Sequence, residues 1–322
     1  MRVRSWFTHV MAAAALTTIA ACSGAPDRIF ISIGTAPPGG AFFVVGTALA
    51  EVLGAAGADR NWQVTAEGTS GSQENIRRLA QDELDFALSN SAITYFAVRG
   101  TEGWDRQYPV QAVMTLAPNV ALFITKTGNN IKTIADLKGR RVVIGPAGAG
   151  FEYFVKPILE AHGVRYEDFS PLNATQAASV DMLTDGSADA IFIGGAIPTA
   201  SITQAAATMD LHFIPFDEAV RTKLAADFLF FSPATIPADT YRGQTTEFAG
   251  LDVGSMHLIT SSNQDDDTVY AVTKMLWEQR EQVVQKHPAG RAINPRNAIR
   301  DTGTTFHPGA IRFYREIGIW PQ

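Results

Sequence analysis

Three short stretches rich in glycine and small polar residues carry the chemistry this sequence offers. The first runs from Gly34 to Phe43 (GTAPPGGAFF), the second from Gly68 to Asn75 (GTSGSQEN), and the third from Gly145 to Phe151 (GPAGAGF). The first and third each leave an apolar β-rich run and enter an apolar helical pattern. A strand–loop–helix junction aims free backbone N–H groups at a ligand. In the second stretch, Ser70 or Ser72 suits a helix cap and Asn75 falls in the first turn. Converging helix N-termini favour an anion, most simply a carboxylate.

Other chemistries lack their residues. The six histidines, at 9, 162, 212, 257, 287 and 307, include no pair at metal-ligand spacing and no H-E-x-x-H. GTSGS does not match the G-x-S-x-G of a nucleophile elbow. GPAGAG lacks the Lys-Ser/Thr of a P-loop and the order of a dinucleotide fingerprint. The expectation is a binding protein that is not an enzyme, with no catalytic residue, cofactor or metal.

The elements that must position these loops repeat. RIFISIGTAPPGGAFFVVGTALAEVLG, from Arg28, and RRVVIGPAGAGFEYFVKPILEAHG, from Arg140, share a β-rich run, a glycine turn, an aromatic cluster, an apolar helix and a closing glycine. Downstream, Leu79 and Asp85 are six apart, as are Leu183 and Asp189. Both segments read as helix, tight turn and buried strand. Two such β–loop–α…α–β units predict two α/β lobes, each with a parallel sheet covered by helices. Extended stretches around Pro118 and over residues 238–262 suit two crossovers between them. The fold class expected is α/β, a type II periplasmic-binding-protein clamshell with two crossover segments. Lobe I comprises 29–117 and 254–306, and lobe II comprises 118–253 and 307–322. Gly40 and Gly150 are expected to face each other across the cleft.

Residues 1–21 read as a signal peptide, with Arg2 and Arg4 ahead of an apolar stretch too short to span a bilayer. It ends Ile19-Ala20-Ala21-Cys22, which resembles a bacterial lipobox, and Cys22 is the chain's one cysteine. Lipidation of Cys22, with 22–28 as a tether, would place the protein in the periplasm or cell envelope on a lipid anchor. Disulfides are excluded. Removing 1–21 takes away two arginines and no acid, so the formal charge goes from −6 to −8 (24 basic less 32 acidic residues). That balance argues against nucleic acid as a partner.

The residues resemble one known family, the TAXI class of substrate-binding proteins that serve TRAP secondary transporters. The matching segments are IGTAPPGGAFFVVG, EGTSGSQENIRRLAQDELDFALSNSA, IKTIADLKGRRVVIGPAGAG, PADTYRG and FHPGAIRFYREIG. They run from about residue 29 to the C-terminus in the family's order. The resemblance implies capture of a small organic anion, often an amino acid or dicarboxylate, for a TRAP membrane permease driven by an ion gradient. The chain departs from the family's pattern where hydroxyls are common: Ala41, Phe42, Phe43, Ala149 and Phe151 stand in their places, and Ser89 and Ser91 replace a frequent Gln and Asp.

The ligand expected is therefore a small carboxylate with an apolar part, bound by a monomer. Candidate ligand-binding residues are Gly39, Gly40, Ala41, Phe42 and Phe43 in the first loop, and Thr69, Ser70, Ser72, Asn75 and Asn90 in or after the second. Gly148, Ala149, Gly150 and Phe151 in the third loop and Gly195 complete the set. Two alternatives stand: a receptor of the same fold docking on a sensor kinase, and an exported enzyme.

Overall fold

The computed structural model describes residues 28–38 and 40–321. The proposed signal peptide, Cys22, all of the tether but Arg28, and Gly39 lie outside the described residues. The strands are β1 (Ile29–Gly34), β2 (Trp62–Glu67), β3 (Phe86–Asn90), β4 (Val110–Thr115), β5 (Val120–Lys126), β6 (Arg141–Gly145), β7 (Ser170–Asn173), β8 (Ala190–Gly195), β9 (Leu211–Ile214), β10 (Phe231–Ile236), β11 (Phe248–Val253) and β12 (Met256–Ser261). The helices are α1 (Ala41–Ala56), α2 (Ser72–Leu79), α3 (Ser91–Ala97), α4 (Glu152–Ala161), α5 (Gln176–Asp185), α6 (Ala200–Thr208), α7 (Glu218–Asp227), α8 (Asp266–Glu278), α9 (Arg280–Lys286) and α10 (Pro308–Glu316).

The strands form two sheets, one per lobe. The first runs β2-β1-β3-β12-β4, and the second β10-β11-β5-β8-β6-β7 with β9 against β5. The expected parallel pairing holds only within β2-β1-β3 and β7-β6-β8. Both sheets are mixed, because β12 runs antiparallel to β3 and β5 runs antiparallel to β8. Those two strands arrive from the opposite lobe by crossover, without a helix to reverse the chain.

The Leu–Asp spacing has one physical cause in both lobes. Leu79 and Leu183 are fully buried. Asp85 Oδ2 accepts the Ser32 N–H at 2.8 Å, and Asp189 Oδ2 accepts the Arg141 N–H at 2.8 Å. Each carboxylate ties the start of the third strand of its unit to the first strand beside it.

The lobes meet where Thr115–Val120 and Val253–Met256 cross side by side. Leu116 N–H donates to Met256 O at 2.8 Å, and Met256 N–H to Ala117 O at 2.9 Å. Of the segment 307–322, expected in lobe II, the described residues 307–321 pack with lobe I instead. Its helix α10 packs on α8, and Tyr314 Oη donates to Val113 O at 2.9 Å. The apolar face of α10 buries Phe313 and Tyr314 against the first sheet's core, which fixes its side.

Candidate functional site

A cavity lies between the lobes at the strand ends. Its lobe I wall comes from Ala36–Pro38 and Gly40–Phe42, from Ser70–Ser72, and from Asn90 and Ile93. Its lobe II wall comes from Pro146, Ala149, Phe151, Phe154, Thr175–Ala177 and Gly194, and Asn119 enters from the crossover. The cavity measures about 80 Å³. One water takes roughly 10–15 Å³ by this measure, so the space suits a ligand on the order of ten non-hydrogen atoms.

Three helix N-termini open onto it. Helix α1 begins after Gly40 and α2 after Gly71, and neither has a side-chain cap. Ser72, expected as a possible cap, is instead the first helical residue. Its Oγ accepts the Asn90 N–H at 3.0 Å, which leaves the hydroxyl proton to donate elsewhere. In α5, Thr175 caps Ala178 N–H at 3.3 Å, and Gln176 and Ala177 line the cavity. No Asp, Glu, Lys, Arg or His stands among the described lining residues. The field there comes from helix ends, whose N-termini carry partial positive charge.

Of the residues expected at the site, Gly40, Ala41, Phe42, Ser70, Ser72, Asn90, Ala149 and Phe151 come together around the cavity. Phe43, Thr69, Asn75, Gly148, Gly150 and Gly195 are not among its lining. Asn75 is fully buried behind the wall, where Nδ2 donates to Thr35 O at 2.7 Å and Leu88 O at 2.8 Å. Gly34 makes room for it, since a Cβ there would come 2.7 Å from Asn75 Oδ1. Thr69 braces the loop, donating to Thr35 O at 3.0 Å and accepting Gly71 N–H at 3.2 Å. The Phe43 ring lies over Gly68, and Gly148 is exposed.

Gly150 and Gly195 mark contacts between the closed lobes. A Cβ on Gly150 would meet Ile93 Cδ1 at 2.9 Å, so Gly150 faces Ile93 rather than Gly40. A Cβ on Gly195 would lie 3.7 Å from Ala41 Cβ, and one on Gly71 3.5 Å from Ala149 Cβ. Beside them Tyr153 of α4 stacks on Phe96 of α3 at 5.7 Å.

The hinge is a polar joint. Asp252 is buried, and its carboxylate accepts Asn119 N–H at 3.0 Å, Ser255 Oγ–H at 2.6 Å and Arg300 Nη2 at 3.1 Å. Burial pushes the Asp252 carboxyl up, and the Arg300 charge opposes that. Asn90 Nδ2 donates to Val253 O at 3.2 Å and Gly254 O at 2.8 Å.

Sequence reading missed Asn119, Gln176 and Gly194. The repeat carries the signal for two of them. Ser72 and Asn90 lie seven before and eleven after Leu79; Gln176 and Gly194 hold the same offsets from Leu183.

Residues 33–318 match the model of the NMT1-like family. Among solved structures, the fold resembles the alkanesulfonate-binding protein SsuA of Xanthomonas axonopodis pv. citri, bound to MOPS. That match has a TM-score of 0.50 at 15% identity over 92% of this chain and 82% of that one. A putative L-cystine ABC transporter protein of Listeria monocytogenes has a TM-score of 0.50 at 10% identity, over 80% and 93%. XAC2383 of Xanthomonas citri, bound to ATP, has a TM-score of 0.51 at 8% identity, over 89% and 95%. The fold is that of the type II periplasmic binding proteins.

Proposed function

The chain belongs to the NMT1-like family, and from that premise we propose that it is an extracytoplasmic solute receptor for a small organic anion, a carboxylate with an apolar body. The observation that carries this reading is the cavity between the lobes, where helix N-termini converge and no charged side chain lines the described wall. The helix ends and the Ser72 hydroxyl can meet one carboxylate. An ammonium would find no carboxylate opposite it, and burying it unpaired is costly. Zwitterionic amino acids are therefore disfavoured, although the TAXI class often binds them. Phe42, Ile93, Phe151 and Phe154 supply the apolar side. A ligand touching both walls stabilises the closed form over an open one.

The partner proposed is a TRAP-type permease driven by an ion gradient, on the resemblance of the motifs between Ile33 and Gly318 to the TAXI class. Cys22 acylation would hold the receptor on the membrane. Vesicles carrying the permease should take up the bound solute with an ion gradient and no ATP; uptake that needs ATP would replace this partner with an ABC-type one.

Mass spectrometry of ligand retained on the purified protein, followed by calorimetry, tests the site. Branched or aromatic monocarboxylates should bind at least about tenfold more tightly than glutamate, about 1.4 kcal/mol. Glutamate binding as tightly as any monocarboxylate would overturn the reading.

A further inference from the structure

We propose that the Asn119 carboxamide reads a second, uncharged hydrogen-bonding group on the ligand, so that the preferred ligand is a hydroxy-bearing monocarboxylate rather than a plain hydrocarbon one. This rests on the reading of the cavity as an anion site and adds to it the chemistry of the ligand's other end.

Asn119 is held firmly by its backbone. Its N–H donates to Asp252 Oδ1 at 3.0 Å, and its C=O accepts the Val253 N–H at 3.0 Å. Its side chain has no such hold. The residue is 5% exposed and lines the cavity. Its Oδ1 is buried without a hydrogen-bond partner, and its Nδ2 donates to no described residue. A half-turn about χ2 exchanges the two atoms, so a donor and an acceptor stand free in either orientation.

The other lobe shows what such a carboxamide does when its role is structural. Met256 pairs with Asn90, and Ala121 pairs with Gly194. Two residues before each partner strand position stand Gly254 and Asn119. Strand end and crossover have exchanged residue types, Asn90 with Gly254 in lobe I and Gly194 with Asn119 in lobe II. The Asn90 carboxamide is saturated: Oδ1 caps Ala92 N–H at 2.8 Å, and Nδ2 bonds the Val253 and Gly254 carbonyls. The Asn119 carboxamide occupies the mirrored place, and its Oδ1 has no partner.

Gly194 leaves the room that this needs. A Cβ there would come 3.1 Å from Asn119 Oδ1. On its other side the Gly194 carbonyl accepts Gln176 Nε2 at 2.6 Å, and that bond fixes Gln176 Oε1, which is also buried without a partner. Two unpaired carboxamide oxygens therefore flank Gly194. Buried acceptors of this kind call for a donor. A hydroxyl both donates and accepts, and so completes the Asn119 carboxamide. A ketone only accepts, and a methyl group does neither.

Calorimetry on the full chain with matched probes tests this: 2-hydroxyisobutyrate against pivalate, and 4-hydroxyphenylacetate against 4-methylphenylacetate. In each pair a hydroxyl replaces a methyl of similar size. In the wild type at least one hydroxy acid should bind about tenfold more tightly than its partner, the discrimination expected of one buried hydrogen bond. Asn119→Leu should erase or reverse that preference. Equal binding within both wild-type pairs overturns the proposal, as does a preference that survives in Asn119→Leu. Should that variant fail to fold, Asn119→Ser and the wild-type ratios decide. If none of the four acids binds the wild type, the anion reading itself falls.

Discussion

At the end of β3 stands Asn90; at the matching end of β8 stands Gly194. The two lobes share a frame down to single hydrogen bonds, yet they fill it differently. In lobe I the pair beside the strand end is Ser89 with His257, and in lobe II it is Ile193 with Leu122. Lobe I runs a polar chain there: Ser89 Oγ lies 2.8 Å from Thr94 Oγ1, and Thr94 Oγ1 lies 2.8 Å from His257 Nε2, while His257 Nδ1 is buried without a partner. Lobe II is apolar at that layer and carries its unsatisfied polar atoms one step outward, at Asn119 and Gln176 beside the cavity. The difference teaches where each lobe spends its polar groups. Lobe I uses them to set the joint, and lobe II leaves them for what enters the cleft.

The largest effect expected comes from breaking the saturated side. Asn90→Leu removes a helix cap and two bonds to the crossover, and should lower unfolding free energy by about 3 kcal/mol. Asn119→Leu removes no bond to a described residue and should change stability by less than about 1 kcal/mol. Urea denaturation of the two variants measures both. Similar costs at 90 and 119 would mean that Asn119 is structural too, and the contrast between the lobes would fail.

A second test uses acid, and its effect is somewhat smaller. His257 is fully buried; burial first, and then the Arg300 charge, push its imidazole down to about 3. The unfolded chain takes that proton near pH 6.5 and the folded chain does not. Stability from this group is thus complete above about pH 6.5 and declines as pH falls toward 3, by about 2 kcal/mol between pH 6 and 4.5. Burial also lowers His162, His287 and His307, so the measurement is the difference in pH slope between wild type and His257→Gln. Hydrogen exchange should localise the loss to β3 and β12. Equal loss in β5 and β8, where Leu122 and Ile193 stand, would show the two layers to be less distinct than their residues imply.

Much of the frame was legible because it is local. The Leu–x5–Asp spacing and the glycine turns report helix ends, strand starts and their ties, all within short stretches of chain. The loops at Gly40, Ser70 and Ala149 were legible for the same reason. Asn75 was misread: its place in a helix's first turn suggests a ligand donor, but that turn's inner face meets the sheet, where Thr35 O and Leu88 O need a donor. Asn119 was invisible because its role depends on Asp252 and Gly194, residues brought to it only when β5 lies between β8 and β11. In LAPNVAL it reads as an ordinary turn asparagine after a proline. The sequence does not place the terminal helix in lobe I, because an amphipathic stripe shows that a face is buried and not against which sheet.

The smallest effect expected tests the shared frame itself. If Asp85 and Asp189 do the same work, Asp85→Ala and Asp189→Ala should each cost about 1.5 kcal/mol near neutral pH, the low end for a hydrogen bond to a charged group. Asp85 Oδ2 also accepts the Ser32 hydroxyl at 2.9 Å, as Asp189 also takes the Arg141 guanidinium. The added Arg141 guanidinium on Asp189, at 2.7 Å, does not break the equality, because that pair is partly exposed, 47% and 26% by side chain, and surface ion pairs contribute little. It does give Asp189 a signature in acid. The bond from Arg141 holds the Asp189 carboxyl below the ordinary carboxylate range. Its contribution is therefore complete above the unfolded value near 3.9 and is lost as pH falls through its lower folded value. The cost of Asp189→Ala, read from urea midpoints, should shrink between pH 5 and pH 2.5. A cost at 189 that stays the same over that range, or one several times the cost at 85, would show that the matching spacing hides two different jobs.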